Sequence, residues 1–292
     1  MKLRHLCVLM FTGCAVEATV GQGEADVQSS SDEALAAFTV DSSALAVRPA
    51  KPALLKALRP EKLEVQNVAS KLLRATQSPA MVRSGTRTQY RVVDWELETD
   101  PKAGRVLANR AVATAARAVP QDVQRLRTDS LSRLRDLGVD DGEVGTVLQR
   151  EVMASTQEQT SGISSTELHS YKTFVFRSVN GIPVEGHRAV ITHARDGSMR
   201  KALMTWPALA GAGHQLTSRL ERSTIETRAK RALLREGETA GSAKLAWRYV
   251  PVPTDSGEVT LKLVAIAAVA GRTATDGTTA EPRIVEVDVD AE

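Results

Sequence analysis

The chain has 292 residues, 42% hydrophobic and 25% charged, enough for one large domain or two to three small ones with a sizeable core. Its 38 basic and 35 acidic residues leave a net charge of +3 without a dense basic cluster, which argues against nucleic acid as a partner. The aromatic content of 3% argues against the stacking platforms of sugar- or base-binding surfaces. Both cysteines, Cys7 and Cys14, lie at the extreme N-terminus, so the rest of the chain has no thiol for a Cys-dependent enzyme, a zinc ribbon or a disulfide scaffold.

Residues 1–18 read as an export signal. Lys2, Arg4 and His5 form a basic start, and the apolar run from Leu6 to Phe11 is too short to span a bilayer. Phe11-Thr12-Gly13-Cys14 resembles the bacterial lipobox, with Phe11 where Leu is usual; the resemblance implies acylation of Cys14 and a lipid anchor. Cleavage after Ala18 and an apolar cytosolic start are the alternative readings. The expected location is the cell envelope, lipid-anchored and at the outer membrane, or the secreted fraction. Thr19 to Ser31 is small, polar and acidic, too poor in apolar mass to fold alone, and reads as a tether. Residues 19–52 as a whole are assigned to this tether and an edge strand carrying Leu35, Phe38 and Val40, ended by the prolines Pro49 and Pro52.

Three helix-then-sheet units are expected beyond it. In the first, 53–119, Pro60 leads a helix over Glu61 to Thr76 with an apolar stripe of Val65, Val68, Ala69, Leu72 and Leu73. Gln89 to Thr99 alternates as one strand, Asp100 to Gly104 is a turn, and Arg105 to Asn109 is the partner strand. The Ala-rich run Arg110 to Val119 is ambiguous. In the second unit, 120–215, a helix over Gln121 to Leu137 stops at Gly138, and Glu143 to Thr156 reads as a strand with a helix as the other option. In the third, 216–292, a helix over Ser218 to Glu236 has capping-box spacing at Ser218 and Glu221. Three strands follow, at Lys244 to Val252, Val259 to Val269 and Arg283 to Val289. Segregated helices on antiparallel sheets make the expected fold class α+β.

Tyr171 to Leu209 is the most informative stretch. Strand-like alternation at Phe174 and Phe176 leads into Asn180-Gly181, a pair that tolerates the positive φ of a two-residue hairpin turn. A return strand over Val184 to Ala194, a second turn at Asp196-Gly197 and a third strand over Met199 to Trp206 complete an antiparallel meander. The segment Phe176-Arg177-Ser178-Val179-Asn180-Gly181-Ile182-Pro183-Val184-Glu185-Gly186, with Asp196-Gly197 and Trp206-Pro207, resembles the propeptide domains of secreted thermolysin- and fungalysin-type metallopeptidases and the related PepSY modules. The match covers about 35 residues. It implies a cystatin-like helix-plus-meander fold and, in some members, inhibition or chaperoning of a peptidase. The hairpin residues Asn180, Gly181, Pro183 and Gly186 match the motif, with an expected role in backbone geometry and in a binding loop.

The zinc motif H-E-x-x-H of the peptidases that such propeptides precede does not occur, and the chain ends at Glu292, so a stand-alone propeptide-like module is expected. His187 and His193 share strand parity but sit roughly 20 Å apart at about 3.3 Å per residue, too far for one metal, and are read as exposed strand histidines. No G-x-S-x-G elbow occurs; Gly162-Ile163-Ser164-Ser165 lies in a polar linker. Asp140-Asp141 reads as a solvated turn, and Trp95, Trp206 and Trp247 as core filling. No catalytic, cofactor or metal residues are assigned. The expectation is a non-enzymatic exported binding protein whose partner is a secreted peptidase or another envelope protein, with a structural envelope lipoprotein as the alternative.

Overall fold

Strand-forming sequence dominates, and the protein is an α+β structure built on one large, mostly antiparallel sheet with few helices. The computed structural model describes residues 34–46, 49, 58–83, 88–110, 121–157, 164–236, 241–269 and 283–289. The expected signal with Cys14, most of the tether and the Ala-rich run after Arg110 lie outside the described residues. No helix among the described residues is long and apolar enough to cross a membrane.

In chain order the strands are β1 (Phe38–Asp41), β2 (Ala80–Arg83), β3 (Gln89–Val92), β4 (Trp95–Asp100), β5 (Arg105–Arg110), β6 (Val144–Gln157), β7 (Ser164–Val179), β8 (Ile182–His193), β9 (Met199–Thr205), β10 (Gly241–Pro253), β11 (Val259–Val269) and β12 (Arg283–Asp288). One half of the sheet runs β2-β3-β4-β5-β9-β8-β7-β6 with every neighbouring pair antiparallel. The other half holds β1 parallel to β10, then β11 and β12 antiparallel. They join where β8 runs parallel to β10, with Val184 opposite Tyr249.

Each half buries its own core. Helix α1 (Val123–Leu137) and the helical stretch before β2 cover the inner face of the first half. Leu134, Leu137, Val68, Ala69 and Leu72 meet Val106, Ala108, Val175 and Ile191 there. Helix α2 (Arg222–Arg235) covers the second half, packing Ile225, Ala229 and Leu233 with Leu245, Tyr249, Leu263 and Ala265. Each fully buried aliphatic side chain contributes roughly 1.5–3 kcal/mol. The β7–β8 hairpin supplies both cores: Val175, Ala189 and Ile191 belong to the first, Val179, Ile182 and Val184 to the second.

The ends of α1 follow from its sequence. The Asp122 side chain accepts the Gln124 N–H, and Gly138, at φ +110°, lets its own N–H and that of Val139 close onto the Leu134 carbonyl. The helix expected over Glu61 to Thr76 is instead a chain of three short pieces. A 3-10 turn (Pro60–Leu63) leads to one α turn (Val65–Asn67) and then a π turn (Val68–Leu72). Its predicted stripe survives, with Val68, Ala69, Leu72 and Leu73 all buried, because burial of that face and not helical regularity is what the core selects.

Three further boundaries differ from expectation. The alternating run Gln89 to Thr99 is not one strand: it reverses through a two-residue turn at Val93-Asp94, with Val92 opposite Trp95. Val93 is 56% exposed and sits at φ +53°, a region that β-branched residues avoid. Asp94 is held by Arg110, whose Nε lies 2.5 Å from its carboxylate. Val93→Gly should therefore stabilise the fold by about 1 kcal/mol, seen as a higher thermal midpoint; an unchanged or lower midpoint would show that the turn is not strained. Helix α2 starts at Arg222, and the Ser218–Glu221 capping box does not form. Ser218 Oγ instead donates to the Val289 carbonyl at 2.8 Å and accepts the Leu220 N–H. Strand β7 begins at Ser164, taking in residues read as linker, and pairs with β6 as a two-stranded arm past the end of β8, where His193 lies opposite Tyr171.

Candidate functional site

The hairpin that carries the sequence motif forms as expected. Val179 pairs with Ile182, and Asn180 and Gly181 take φ of +53° and +77°, the twisted turn that matches strand twist. Both turn residues are exposed. Pro183 is exposed on β8 opposite Ser178, and Gly186, also exposed, has φ +70° inside a register shift of the β7–β8 ladder. A side chain at Gly181 or Gly186 would meet nothing within 4 Å, so both are required for backbone conformation and not for space. Asn180, Gly181 and Gly186 thus take the left-handed backbone conformations of the hairpin where it crosses from one core to the other. Cys14 lies outside the described residues.

Behind the bulge the sheet buries a polar cluster that sequence reading did not find. Arg177 is fully buried, with Nη2 2.9 Å from Glu143 Oε2 and Nη1 donating to the Pro207 carbonyl at 2.7 Å. Trp206 Nε1 donates to the same Glu143 oxygen at 2.8 Å, and the guanidinium lies 5.3 Å from the Trp206 ring centroid. His187 Nδ1 is 3.4 Å from Arg177 Nη1. Arginine only donates, so Nδ1 must be the acceptor and the ring proton sits on Nε2.

Burial dominates the protonation of this cluster. It pushes the Glu143 carboxyl up, with Arg177 and the Trp206 N–H pulling the other way, and it draws the Arg177 guanidinium down against the attraction of Glu143. Burial and then the Arg177 charge pull the His187 imidazole down to about 3, so it is neutral. Glu143 Oε1 and Arg177 Nε are buried without a partner. The cluster ties the start of β6, the ends of β7 and β9 and the bulge of β8 together, and it is sealed from solvent.

A second polar group pins α1 to the sheet. Asp129 accepts from Arg133 Nε at 2.7 Å and from Arg74 Nη1 at 3.1 Å, and His193 Nε2 lies 3.4 Å from it. Arg133 also donates to the Leu72 carbonyl, which caps the π turn. Burial lowers the His193 imidazole, partly offset by Asp129, while Arg133 and the other donors outweigh burial and hold the Asp129 carboxyl low.

The histidine reading is therefore corrected. His187 and His193 share one face as expected, but it is the core face: they are 5% and 0% exposed, because Arg177 and Asp129 supply polar partners beneath the sheet. Asp140-Asp141 is a turn, with Asp140 accepting the Gly142 N–H and Asp141 bound to Arg135. Trp95, Trp206 and Trp247 are all buried. Among the described residues no three of His, Cys, Asp and Glu converge as a metal-ligand set.

What the structure offers a partner is surface. Among the described residues β6 pairs only with β7, leaving its outer edge open, and its exposed side chains include Leu148 and Met153. No protein-family model and no curated protein matches the chain. Among solved structures, an uncharacterized protein from Eubacterium rectale is similar at 13% identity and TM-score 0.38, covering 79% of this chain and 78% of the other. The Bacillus megaterium YpeB C-terminal domain is similar at 12% identity and TM-score 0.29, covering 82% of this chain and 99% of that domain. Likenesses this distant carry no argument about role.

Proposed function

We propose that the protein is an exported, non-enzymatic binding protein that engages a secreted peptidase or another envelope protein by adding a strand to the open edge of β6. The observation that carries this reading is that edge: a strand spanning Val144–Gln157 with one partner among the described residues, extended as an arm beyond the sheet. The propeptide-like hairpin at Asn180, Gly181, Pro183 and Gly186 favours a peptidase as the partner. The buried Arg177 cluster fits a rigid scaffold, since its polar groups are paired inside the sheet and not presented to solvent. Acylation at Cys14 would hold the module at the envelope, with residues 19–52 as its spacer.

The test is co-elution and inhibition with the secreted metallopeptidases of the source organism. The full chain is expected to co-elute with at least one of them. Met153→Lys with Ser155→Lys, two exposed β6 positions, should abolish this by charging the edge. Retention of envelope proteins but of no peptidase would move the assignment to a structural lipoprotein. Turnover in a hydrolase screen that a single Asp or His substitution removes would overturn it. Lipid labelling of the chain and of Cys14→Ser decides between an anchored and a free form.

A further inference from the structure

The face of the sheet opposite α1 has an organisation that the edge reading does not use. Leu148 lies opposite Phe174, Phe174 opposite Val190, Val190 opposite Leu203, and Leu203 opposite Leu107. These residues form an unbroken apolar line across β6, β7, β8, β9 and β5. Leu148 and Leu203 are each 41% exposed, and Phe174, Val190 and Leu107 are half-buried. The side chains of Phe174 and Phe176 stack at 6.5 Å and widen the line on β7.

Basic residues flank it on both sides. The row on one side holds Arg150, Lys172 and Lys201, in register through Thr192; the row on the other holds Arg188 and Arg105, in register through Thr205. Across these five strands neither row contains an acid; the next strand, β4, sets Asp100 opposite Arg105 and Glu98 opposite Leu107. Four strand spacings of about 4.8 Å make the line about 19 Å long, the length of roughly 13 helical residues. Residues two apart on a strand are about 7 Å apart, so each basic row runs near the flank of a helix laid along the line.

We propose that this face docks an amphipathic helix of a partner protein, apolar along its contact stripe and acidic on both flanks. The line runs into a hollow of about 830 Å³ whose lining includes Leu107, Leu203, Thr205 and Arg105 and, from β4, Glu98 and Asp100, so the basic flanks end at β5. The two basic rows on either side of the apolar line match acidic flanks on a helix laid along it. The face rests on the reading of the chain as a binding protein, but not on the β6 edge or on a peptidase.

The experiment uses the full chain and fluorescent helix-stapled peptides about 16 residues long, with a Leu stripe flanked either by Glu or by Lys. Binding is read by anisotropy, beside flotation with neutral and anionic phospholipid vesicles. The Glu-flanked peptide is expected to bind saturably and to weaken with added salt. Lys172→Glu with Lys201→Glu should weaken it about tenfold or more, and Leu203→Glu should do so independently, each with an unchanged circular dichroism spectrum. Equal binding of the Lys-flanked peptide, flotation with anionic vesicles in place of peptide binding, or variants that fold and bind like the parent would each overturn the proposal. Peptide binding without peptidase co-elution would leave this face standing and the edge reading fallen; the converse would do the opposite.

Discussion

Arg177→Met is expected to cost about 3–5 kcal/mol of folding stability, measured as a shift in the urea midpoint at constant m. The substitution leaves the Glu143 carboxylate buried beside Trp206 with its counter-charge gone, and leaves the Pro207 carbonyl without its donor. Most of that loss is the penalty of an unpaired buried charge, so it should be reversible in a specific way. Adding Glu143→Gln removes the stranded charge and keeps an acceptor for Trp206 Nε1, and the double variant should recover more than half of the loss. If the double variant is as unstable as the single one, the cost comes from packing around Trp206 and not from charge.

Acid should destabilise the protein well before its carboxylates titrate. His187 is neutral in the fold with its imidazole held down to about 3, whereas in the unfolded chain it protonates near 6.5. Below that value the unfolded state binds the extra proton, so stability is complete above about pH 6.5 and is lost as pH falls toward 3. A shift this size corresponds to a loss on the order of 4 kcal/mol from His187. His193, also lowered, adds in the same direction from the same starting pH. Glu143 works against them: its raised carboxyl takes up a proton in the fold first, so above about 4.5 falling pH favours the folded state through that group. The lowered Asp129 and Asp196 carboxyls contribute losses only as pH drops below about 3.8. His187→Asn keeps an acceptor for Arg177 and removes the titration. Urea midpoints at pH 7 and pH 5 should therefore lie closer together in the variant than in the parent. Parallel curves would show that His187 is solvated.

Local signals in the sequence were faithful where one residue type has one physical use. Asn180-Gly181 makes its turn because few other pairs tolerate two successive positive φ values, and Gly138 ends α1 for a related reason. The apolar stripe of Val68, Ala69, Leu72 and Leu73 named the buried face even though the helix around it broke into three kinds of turn. Alternation misled at Val93, since a period of two cannot distinguish a continuous strand from two strands joined by a short turn. Ser218 was misread because its bond goes to Val289, far along the chain, and not to its own helix. The Arg177 cluster had one legible trace: Arg177 shares parity with Tyr171, Thr173 and Val175, and all four are buried. Its partners come from two distant places, Glu143 just before β6 and Trp206-Pro207 just after β9, and no spacing rule brings these to Arg177. The apolar line has the same character, visible only once the registers of five strands are known.

The β7–β8 hairpin runs as one beam, bulged at Gly186, through both cores, rooted by Val175 and Ile191 at one end and by Val179, Ile182 and Val184 at the other. A swing of either half against its neighbour must therefore extract apolar side chains from one interior or bend the beam at Gly186, where the backbone already departs from strand geometry. The shared hairpin therefore opposes such a swing along its length. A ligand that spanned the outer face would meet a surface already in its final shape, spending little binding free energy on rearranging it.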